Sequence, residues 1–584
     1  MRRRTVDGFR RTCGGVSQAE RCLSRRDALR AGAGLAAAAV AAVAAGIAPV
    51  MAAAQATSLA ATPEASALPD LTGVAPLPLT GGRLAEFEAY AAAKLAELGV
   101  PGASVAVVQG GEVAFLQGFG VRQYGRPEPV TADTLLLIGS VTKSFSSLLA
   151  ATLVDAGRLD WETPLVDLLP GFAVADATLT PRLTVRDAFC ACSGLPRRDI
   201  ELQWSSRTPT PESLIAAMAG LPLTSPYGEV FQYNNQLVAA GGFAAAVAGG
   251  GAADDLGPAY AIALRERVLN PIGMPRSTLA LADVAADGDY ALPHAADLAG
   301  APVPLSLLDD DGWIVPVAPT GALWSSAREM ARYVQTELAR GVAPDGGRVV
   351  SAENLERTWA PGVAMQHSPE TPAFLAATNG HYGLGWVVGT YGGQPIVSHT
   401  GGTNGFNSLV AFLPDADLGI VALTNRNGTG ATFNSALQFR LLELLFDQPA
   451  AIDALLENLL ASQEAGRADL LARLGQVDPV AVAPYLGTFT NPDLGDLTLA
   501  LRGGQLDFTL GMAHSALRPR LDDAGAVDGY LLVDPPWVGV PMVTVALDPT
   551  SGGPRVVLTV QGDPGGADPV YRFEPAAAMA TPTP

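Results

Sequence analysis

One stretch of the chain, residues 135–143, reads Leu135-Leu136-Leu137-Ile138-Gly139-Ser140-Val141-Thr142-Lys143. Residues three apart lie on one face of a helix, so the Ser140 hydroxyl and the Lys143 amine can meet. Of the 37 lysines and arginines in the chain, only Lys94 and Lys143 are lysines. A guanidinium stays protonated in a protein, whereas a lysine amine can be tuned to accept a proton. The stretch therefore predicts a serine nucleophile at a helix start, with Lys143 as its base.

Two further segments bear on this pair. Phe231-Gln232-Tyr233-Asn234-Asn235 contains a Tyr-x-Asn pattern, and Val397-Ser398-His399-Thr400-Gly401-Gly402 ends an apolar run in a glycine turn. Taken alone, the first pattern is more often a core tyrosine beside a turn asparagine, and the second is more often a strand end. Both are candidates for a catalytic site only in combination with the serine motif.

In combination, these segments resemble the β-lactamase-related serine hydrolase superfamily. That superfamily includes class C β-lactamases, D-alanyl-D-alanine carboxypeptidases, D-aminopeptidases and β-lactamase-like esterases. The resemblance covers roughly residues 82–445. Its other landmarks are Leu153-Val154-Asp155-Ala156-Gly157-Arg158-Leu159-Asp160, Leu183-Thr184-Val185-Arg186-Asp187, Ser193-Gly194-Leu195-Pro196 and Leu269-Asn270-Pro271-Ile272-Gly273-Met274.

The resemblance implies a role for each site residue. Ser140 would form an acyl-enzyme, Lys143 would act as base, and Tyr233 would complete the base pair and protonate the leaving group. Asn235 would hold Lys143 and the substrate's carbonyl side. The turn Gly401-Gly402 would border the site, with the backbone N–H groups of Ser140 and Gly402 as an oxyanion hole. We expect no cofactor and no metal, and a small-molecule or short peptide substrate.

Two departures from the family pattern bear on the substrate. His399-Thr400-Gly401 stands where penicillin-binding enzymes usually have Lys-Thr-Gly, and a permanent cation there would hold a substrate carboxylate. Because histidine is mostly neutral near neutral pH, the sequence favours an esterase or a D-aminopeptidase-like amidase. The alternatives are a β-lactamase or D-alanyl-D-alanine carboxypeptidase, and a non-catalytic binding protein on the same fold.

The second departure is Cys190-Ala191-Cys192-Ser193-Gly194-Leu195, where relatives commonly read Ser/Thr-His-Thr-Ser-Gly-Leu. Cysteines one residue apart are poorly placed for an unstrained disulfide. We therefore expect two buried, unpaired cysteines.

The beginning of the chain predicts export. Ser24-Arg25-Arg26 precedes an uncharged, alanine-rich stretch from Ala31 to Ala56, which resembles a twin-arginine signal. We expect residues 1–56 to be removed and the mature protein to be periplasmic or secreted, without a stable membrane span. The alternative is a permanent transmembrane helix. The net charge of −20 argues against nucleic acid as a partner.

The domain organisation follows from changes of pattern. We expect a flexible arm over 57–81, an α+β catalytic domain with an antiparallel sheet over 82–448, and a helical connector over 449–478. Apolar residues then alternate on both sides of Gly503-Gly504, which is typical of a hairpin with one buried face.

This alternation predicts a small all-β domain over 479–574, which resembles the lipocalin-like barrels that often follow this catalytic domain; a disordered tail would occupy 575–584. Because the barrel carries no acid–base set, its predicted role is packing, a lid or contact with an unknown partner. A chain that ends near Phe446 would then keep the Ser140 chemistry.

Overall fold

The computed structural model describes residues 68–207, 209–307, 312–369, 371–538, 543–548, 554–560 and 569–576. The predicted signal, residues 57–67 of the predicted arm and residues 577–584 of the predicted tail lie outside this part of the chain. Within it, no helix has the length and apolar character that a membrane crossing requires.

An antiparallel sheet of eight strands organises the first domain. Its strands and the short strands nearby are β1 (Gly102–Gln109), β2 (Glu112–Gly120), β3 (Leu136–Leu137), β4 (His294–Ala296), β5 (Pro302–Pro304), β6 (Trp324–Ser325), β7 (Val363–Ala364), β8 (His381–Tyr382), β9 (Val387–Tyr391), β10 (Gln394–Gly402), β11 (Asn407–Leu413) and β12 (Leu418–Thr424). The order of the strands in the sheet is β2-β1-β12-β11-β10-β9-β8-β7.

The helices in the described part of the chain lie on both faces of this sheet and beyond it. They are α1 (Gly81–Glu97), α2 (Thr142–Asp155), α3 (Leu165–Leu168), α4 (Val185–Phe189), α5 (Asp199–Gln203), α6 (Pro211–Ala217), α7 (Asn235–Ala248), α8 (Leu256–Leu264), α9 (Asn270–Ile272), α10 (Leu281–Asp287), α11 (Ala327–Leu338), α12 (Ala352–Thr358), α13 (Ala373–Thr378), α14 (Thr429–Leu445), α15 (Ile452–Ala472) and α16 (Pro479–Val482). Short 3₁₀ helices span Gly139–Val141, Thr180–Arg182, Met218–Gly220, Gly312–Thr320 and Ala483–Tyr485, and a π turn spans Arg265–Leu269.

The sheet separates two hydrophobic cores because side chains alternate along a strand. In β1, Val105 and Val107 join the core formed with α1 and α14. Ala106 and Val108 join the larger core, which includes α2 and α7. These central strands are therefore buried on both faces, as their continuous apolar runs predict. The predicted α+β, β-lactamase-like fold is confirmed.

Part of the segment that we expected to be a flexible arm is packed against this domain. The backbone N–H of Leu71 donates to the Gly392 carbonyl at 2.6 Å, and that of Leu77 donates to the Leu445 carbonyl at 2.7 Å. Leu71 and Leu79 are buried. The leucines scattered among the prolines hold residues 68–80 in place. Their spacing is too sparse to show as a periodic pattern in the sequence.

The C-terminal region forms a closed barrel of eight antiparallel strands, as the alternation predicts. The strands are β13 (Gly487–Asn491), β14 (Gly495–Arg502), β15 (Gln505–Leu510), β16 (Ala513–Leu521), β17 (Val527–Leu532), β18 (Val543–Asp548), β19 (Arg555–Val560) and β20 (Val570–Pro575). Leu497, Leu499, Leu506 and Phe508 fill its interior. Pro575, placed in the predicted tail, still pairs with Phe489.

Candidate active site

The turn that carries Ser140 is built by the apolar lead-in. Strand β3 pairs with β6, and the Ile138 N–H donates to the Leu323 carbonyl at 2.9 Å. Gly139 then adopts a φ of 52°, a left-handed conformation that glycine takes without steric cost. The 3₁₀ turn Gly139–Val141 follows and continues into α2. Ser140 is thereby placed at the start of a buried helix, where it remains half-buried.

Lys143 lies directly behind Ser140 and is fully buried. Its Nζ donates to Ser140 Oγ at 3.0 Å and to the Thr320 carbonyl at 2.9 Å. Burial lowers the pKa of the Lys143 amine well below its ordinary value, although the Asp199 carboxylate opposes this effect and the Arg197 guanidinium adds to it. A neutral amine at this position could accept the Ser140 proton along the existing contact.

Tyr233 lies beside the same amine, as the sequence predicts. Lys143 Nζ is 4.8 Å from the centre of its ring, and the side chain is buried. Burial raises the pKa of the phenol, while the neighbouring Ser140 hydroxyl opposes that rise. The Tyr233 hydroxyl makes no hydrogen bond of normal geometry within the described chain. It is therefore a protonated group available to a reacting molecule.

Asn235 does not hold Lys143, which corrects the role that the resemblance implied. Its Nδ2 donates to both carboxylate oxygens of Asp199, at 2.9 and 3.1 Å. A charged carboxylate is a stronger acceptor than the neutral groups around the lysine. The preceding residue, Asn234, caps α7 by accepting from the Leu237 N–H at 2.8 Å. Asn235 therefore acts on Lys143 through Asp199.

Arg197 is a site residue that the sequence reasoning missed. Its guanidinium forms an ion pair with Asp199 and lies 5.3 Å from the centre of the Tyr233 ring. The sequence feature that could have indicated Arg197 is its position directly after the landmark Ser193-Gly194-Leu195-Pro196. A second cation therefore borders the site, although its charge is balanced by Asp199.

His399 lies in the interior of the site wall and is 1% exposed. A carbonyl can only accept, so His399 Nδ1 donates to the Thr400 carbonyl at 2.7 Å, and Nε2 accepts from the Tyr382 hydroxyl at 3.0 Å. Burial, assisted by the charge of Lys143, lowers the pKa of His399 to about 3. The residue is neutral, which agrees with the expectation that it offers no fixed cation.

The glycines at the end of β10 let that strand lie against the Ser140 turn. A Cβ on Gly401 would lie 2.0 Å from the Ile138 carbonyl oxygen, and a Cβ on Gly139 would lie 2.9 Å from the Gly402 nitrogen. Ser408 Oγ also donates to the Ile138 carbonyl, at 2.6 Å. The backbone N–H groups of Ser140 and Gly402 therefore belong to two segments in direct contact, as an oxyanion hole requires.

Cys190 and Cys192 form a disulfide, which corrects the expectation of unpaired cysteines. Ala191 between them has a φ of 51°, so the chain reverses and the two Cα atoms are 5.4 Å apart. This separation lies in the ordinary range for disulfides. The Ala191 carbonyl accepts from the Gln232 N–H at 2.7 Å, so the cross-linked loop supports the segment that carries Tyr233.

The chain is similar in sequence to known proteins. The chain is 31% identical over 337 residues to penicillin-binding protein 4 of Amycolatopsis lactamdurans, which is 57% of this chain and 82% of that protein. It is 27% identical over 359 residues to unguisins hydrolase ungD' of Aspergillus campestris, which is 60% of this chain and 62% of that protein.

A solved structure shares the fold over a larger part of the chain. The octameric penicillin-binding protein homologue from Pyrococcus abyssi has a TM-score of 0.53 and 20% identity, and the match covers 84% of this chain and 99% of that one. The Beta-lactamase family model matches residues 87–445, which hold Ser140, Lys143, Tyr233 and His399. More than half of the chain fits that model, and the chain therefore belongs to the β-lactamase family.

Proposed function

We propose that this member of the family is an exported serine hydrolase that forms an acyl-enzyme on Ser140, with esterase or D-aminopeptidase-like amidase activity. The observation that carries the proposal is the 3.0 Å contact between the buried Lys143 Nζ and Ser140 Oγ.

The arginine-rich start and the uncharged stretch that ends at Ala56 support export. The intact mass of the exported protein checks that part, because a mature chain that still begins before Ala31 would contradict it.

The arrangement supports a two-step reaction. In the first step, Ser140 Oγ attacks the carbonyl carbon of the substrate while its proton passes to Lys143 Nζ. The N–H groups of Ser140 and Gly402 stabilise the negative charge that develops on the carbonyl oxygen, an effect worth about 10²–10³ in rate for each donor. Tyr233 gives a proton to the leaving oxygen or nitrogen and is re-protonated through Lys143. In the second step, water attacks the acyl carbon while one of its protons passes through Tyr233 and Lys143 to Ser140 Oγ. The bond between Oγ and the acyl carbon breaks, which restores the serine hydroxyl and releases the acid.

A fluorophosphonate probe tests this function. We expect its phosphorus to bond to Ser140 Oγ with loss of fluoride, and the peptide that contains Ser140 to carry the added mass. The Ser140→Ala variant, which keeps the fold and the lysine, should remain unlabelled. A folded wild type that neither labels nor hydrolyses any ester or amide would instead support a non-catalytic binding protein.

The substrate class is a separate prediction. His399 is neutral and buried, and the Arg197 charge is balanced by Asp199, so neither of these two described residues offers an unbalanced cation beside Ser140 for a substrate carboxylate. We expect wild-type kcat/KM for nitrocefin to be at least about tenfold below that for p-nitrophenyl esters or D-alanine amides, a difference of about 1.4 kcal/mol.

The same panel should be measured on His399→Lys as a matched variant. An ammonium there would lie close to Lys143 and would lose the Tyr382 contact, so we expect no gain on nitrocefin from this exchange alone. Efficient nitrocefin hydrolysis by the wild type would restore the alternative, a β-lactamase or D-alanyl-D-alanine carboxypeptidase. The name of the relative Penicillin-binding protein 4 supports that alternative.

A further inference from the structure

The short helix α5 has one face in each domain. Ile200 and Trp204, four residues apart, belong to the core of the barrel, whereas Leu202 between them belongs to the core of the catalytic domain. Residues at i and i+4 share a helix face, and a residue midway between them points to the other side. The indole of Trp204 is fully buried, with ring centres 5.1 Å from Trp537 and 5.9 Å from Phe508.

Polar contacts continue this attachment along the segment. The Tyr571 hydroxyl of β20 donates to Glu201 Oε1 at 2.5 Å. The Ser206 N–H donates to the Leu494 carbonyl at 2.9 Å, and Ser206 Oγ accepts from the Asp496 N–H at 2.9 Å. A Cβ on Gly511 would lie 2.3 Å from the Ser205 carbonyl oxygen, so the barrel backbone approaches the segment closely. Residues 200–206 are therefore fixed by the barrel.

The other end of the same segment reaches the catalytic groups. Asp199 is the first residue of α5; it accepts from Asn235 and pairs with Arg197, whose guanidinium faces the Tyr233 ring. Asp199 and Trp204 are only five positions apart, about one and a half helical turns. A displacement of Trp204 or Glu201 would therefore move the charges beside the base.

We propose that the barrel positions Arg197 and Asp199 in the active site, and that Trp204 and the Glu201–Tyr571 hydrogen bond are the positioning contacts. The inference rests on the proposed function of Ser140 and Lys143. It reverses the expectation that a chain ending near Phe446 would keep the chemistry, because such a chain would leave Ile200 and Trp204 without their partners.

The test uses three full-length variants. Tyr571→Phe removes the hydroxyl that reaches Glu201, and Trp204→Ala removes the indole from the barrel. The matched control is Tyr530→Phe, which removes a hydroxyl from another buried barrel tyrosine that makes no described contact with residues 199–206. Circular dichroism and thermal unfolding establish that each variant is folded, and if Trp204→Ala does not fold, Tyr571→Phe decides alone.

The measurement is the pH profile of kcat/KM, whose lower limb follows deprotonation of Lys143. The ionisable groups around this amine are Asp199 and Arg197 from the segment, Tyr233 from the loop before α7, and His399 from β10. Asp199 stabilises the charged amine more than Arg197 destabilises it, so moving the pair away should shift the limb to lower pH. We expect a shift of about half a pH unit or more in Tyr571→Phe and Trp204→Ala, and none in Tyr530→Phe.

A purely structural role for the barrel would change the melting temperature and leave the limb where it is in the wild type. Unchanged limbs in folded Tyr571→Phe would overturn the inference. Failure of the proposed function is a different result: the wild type would not label with fluorophosphonate and would have no pH profile to compare.

Discussion

Lys143→Arg is expected to lower kcat/KM by at least about hundredfold, because a general base typically contributes about 10²–10⁴ in rate. The substitution keeps a positive charge, but a guanidinium does not give up its proton in a protein and cannot accept one from Ser140. The fully buried site also has little room for the larger group. Lys143→Met, which removes the charge and keeps the length, should be as inactive. Ester hydrolysis at several pH values measures both.

Lys94→Arg is the matched control, since Lys94 is the other lysine of the chain. Its Nζ pairs with Glu97 and Asp453, each at 2.9 Å, and also faces the Tyr90 ring. Burial lowers the pKa of Lys94, but these carboxylates more than offset it and the net shift is upward. A permanent cation can replace it, so activity should stay within about twofold, as for an ordinary ion pair. If Lys143→Arg keeps more than about a tenth of the activity, Lys143 is not the base.

Gly401→Ala is the second change with a large expected effect. The new methyl group would lie 2.0 Å from the Ile138 carbonyl oxygen and 2.3 Å from Ser408 Oγ, so either β10 or the turn before Ser140 must move. Moving either segment separates the Ser140 and Gly402 N–H groups. We expect kcat to fall by about 10²–10³, the range for loss of one oxyanion donor, with a smaller change in KM. Steady-state kinetics on a p-nitrophenyl ester measures the changes in kcat and KM separately.

Gly402→Ala is the neighbouring control. Its methyl group would lie 3.2 Å from Asn407 Nδ2, a contact that a small side-chain shift relieves, and its φ is not in the left-handed region. The backbone N–H that would serve the oxyanion is unchanged. This variant should keep activity within a few-fold of the wild type. Equal losses at both positions would show that activity depends on the glycine turn as a whole and would contradict a specific effect of the Gly401 contact with Ile138.

Much of the fold can be predicted from local patterns. The T-x-x-D sequence at Thr184 predicts a helix start, and the structure has a capping box there, with Thr184 and Asp187 bonded reciprocally. The alternating leucines around Gly503-Gly504 predict the β14–β15 hairpin. Each of these two signals is local, because the residues that form it are only a few positions apart in the sequence. Helix α5 could not be found in this way, because Ile200 and Trp204, the residue at its C-terminal cap, are buried against partners about three hundred positions away.

In the active site, too, local contacts could be predicted from the sequence and contacts between distant residues could not. Ser140 and Lys143 are three residues apart, so helix geometry alone brings them together. Tyr233 and His399 could be placed only through the resemblance to a family. The expected contact of Asn235 with Lys143 is wrong because Asn235 bonds to Asp199, which no local pattern marks. Its expected contact with the substrate stays a prediction. The pairing of Cys190 with Cys192 was missed because it depends on the left-handed backbone of Ala191, which is an unusual conformation for alanine.

The helix with one face in each core has a consequence for how this protein can change by recombination. The sequence suggests the connector α15 as the boundary at which the two domains could be recombined. A crossover there would separate Trp204 from Phe508 and Trp537. A barrel exchanged between family members would therefore have to bring residues 199–206 with it, although they lie inside the other domain. The unit that must be exchanged together is therefore discontinuous in sequence, because it consists of the barrel and residues 199–206 of the catalytic domain.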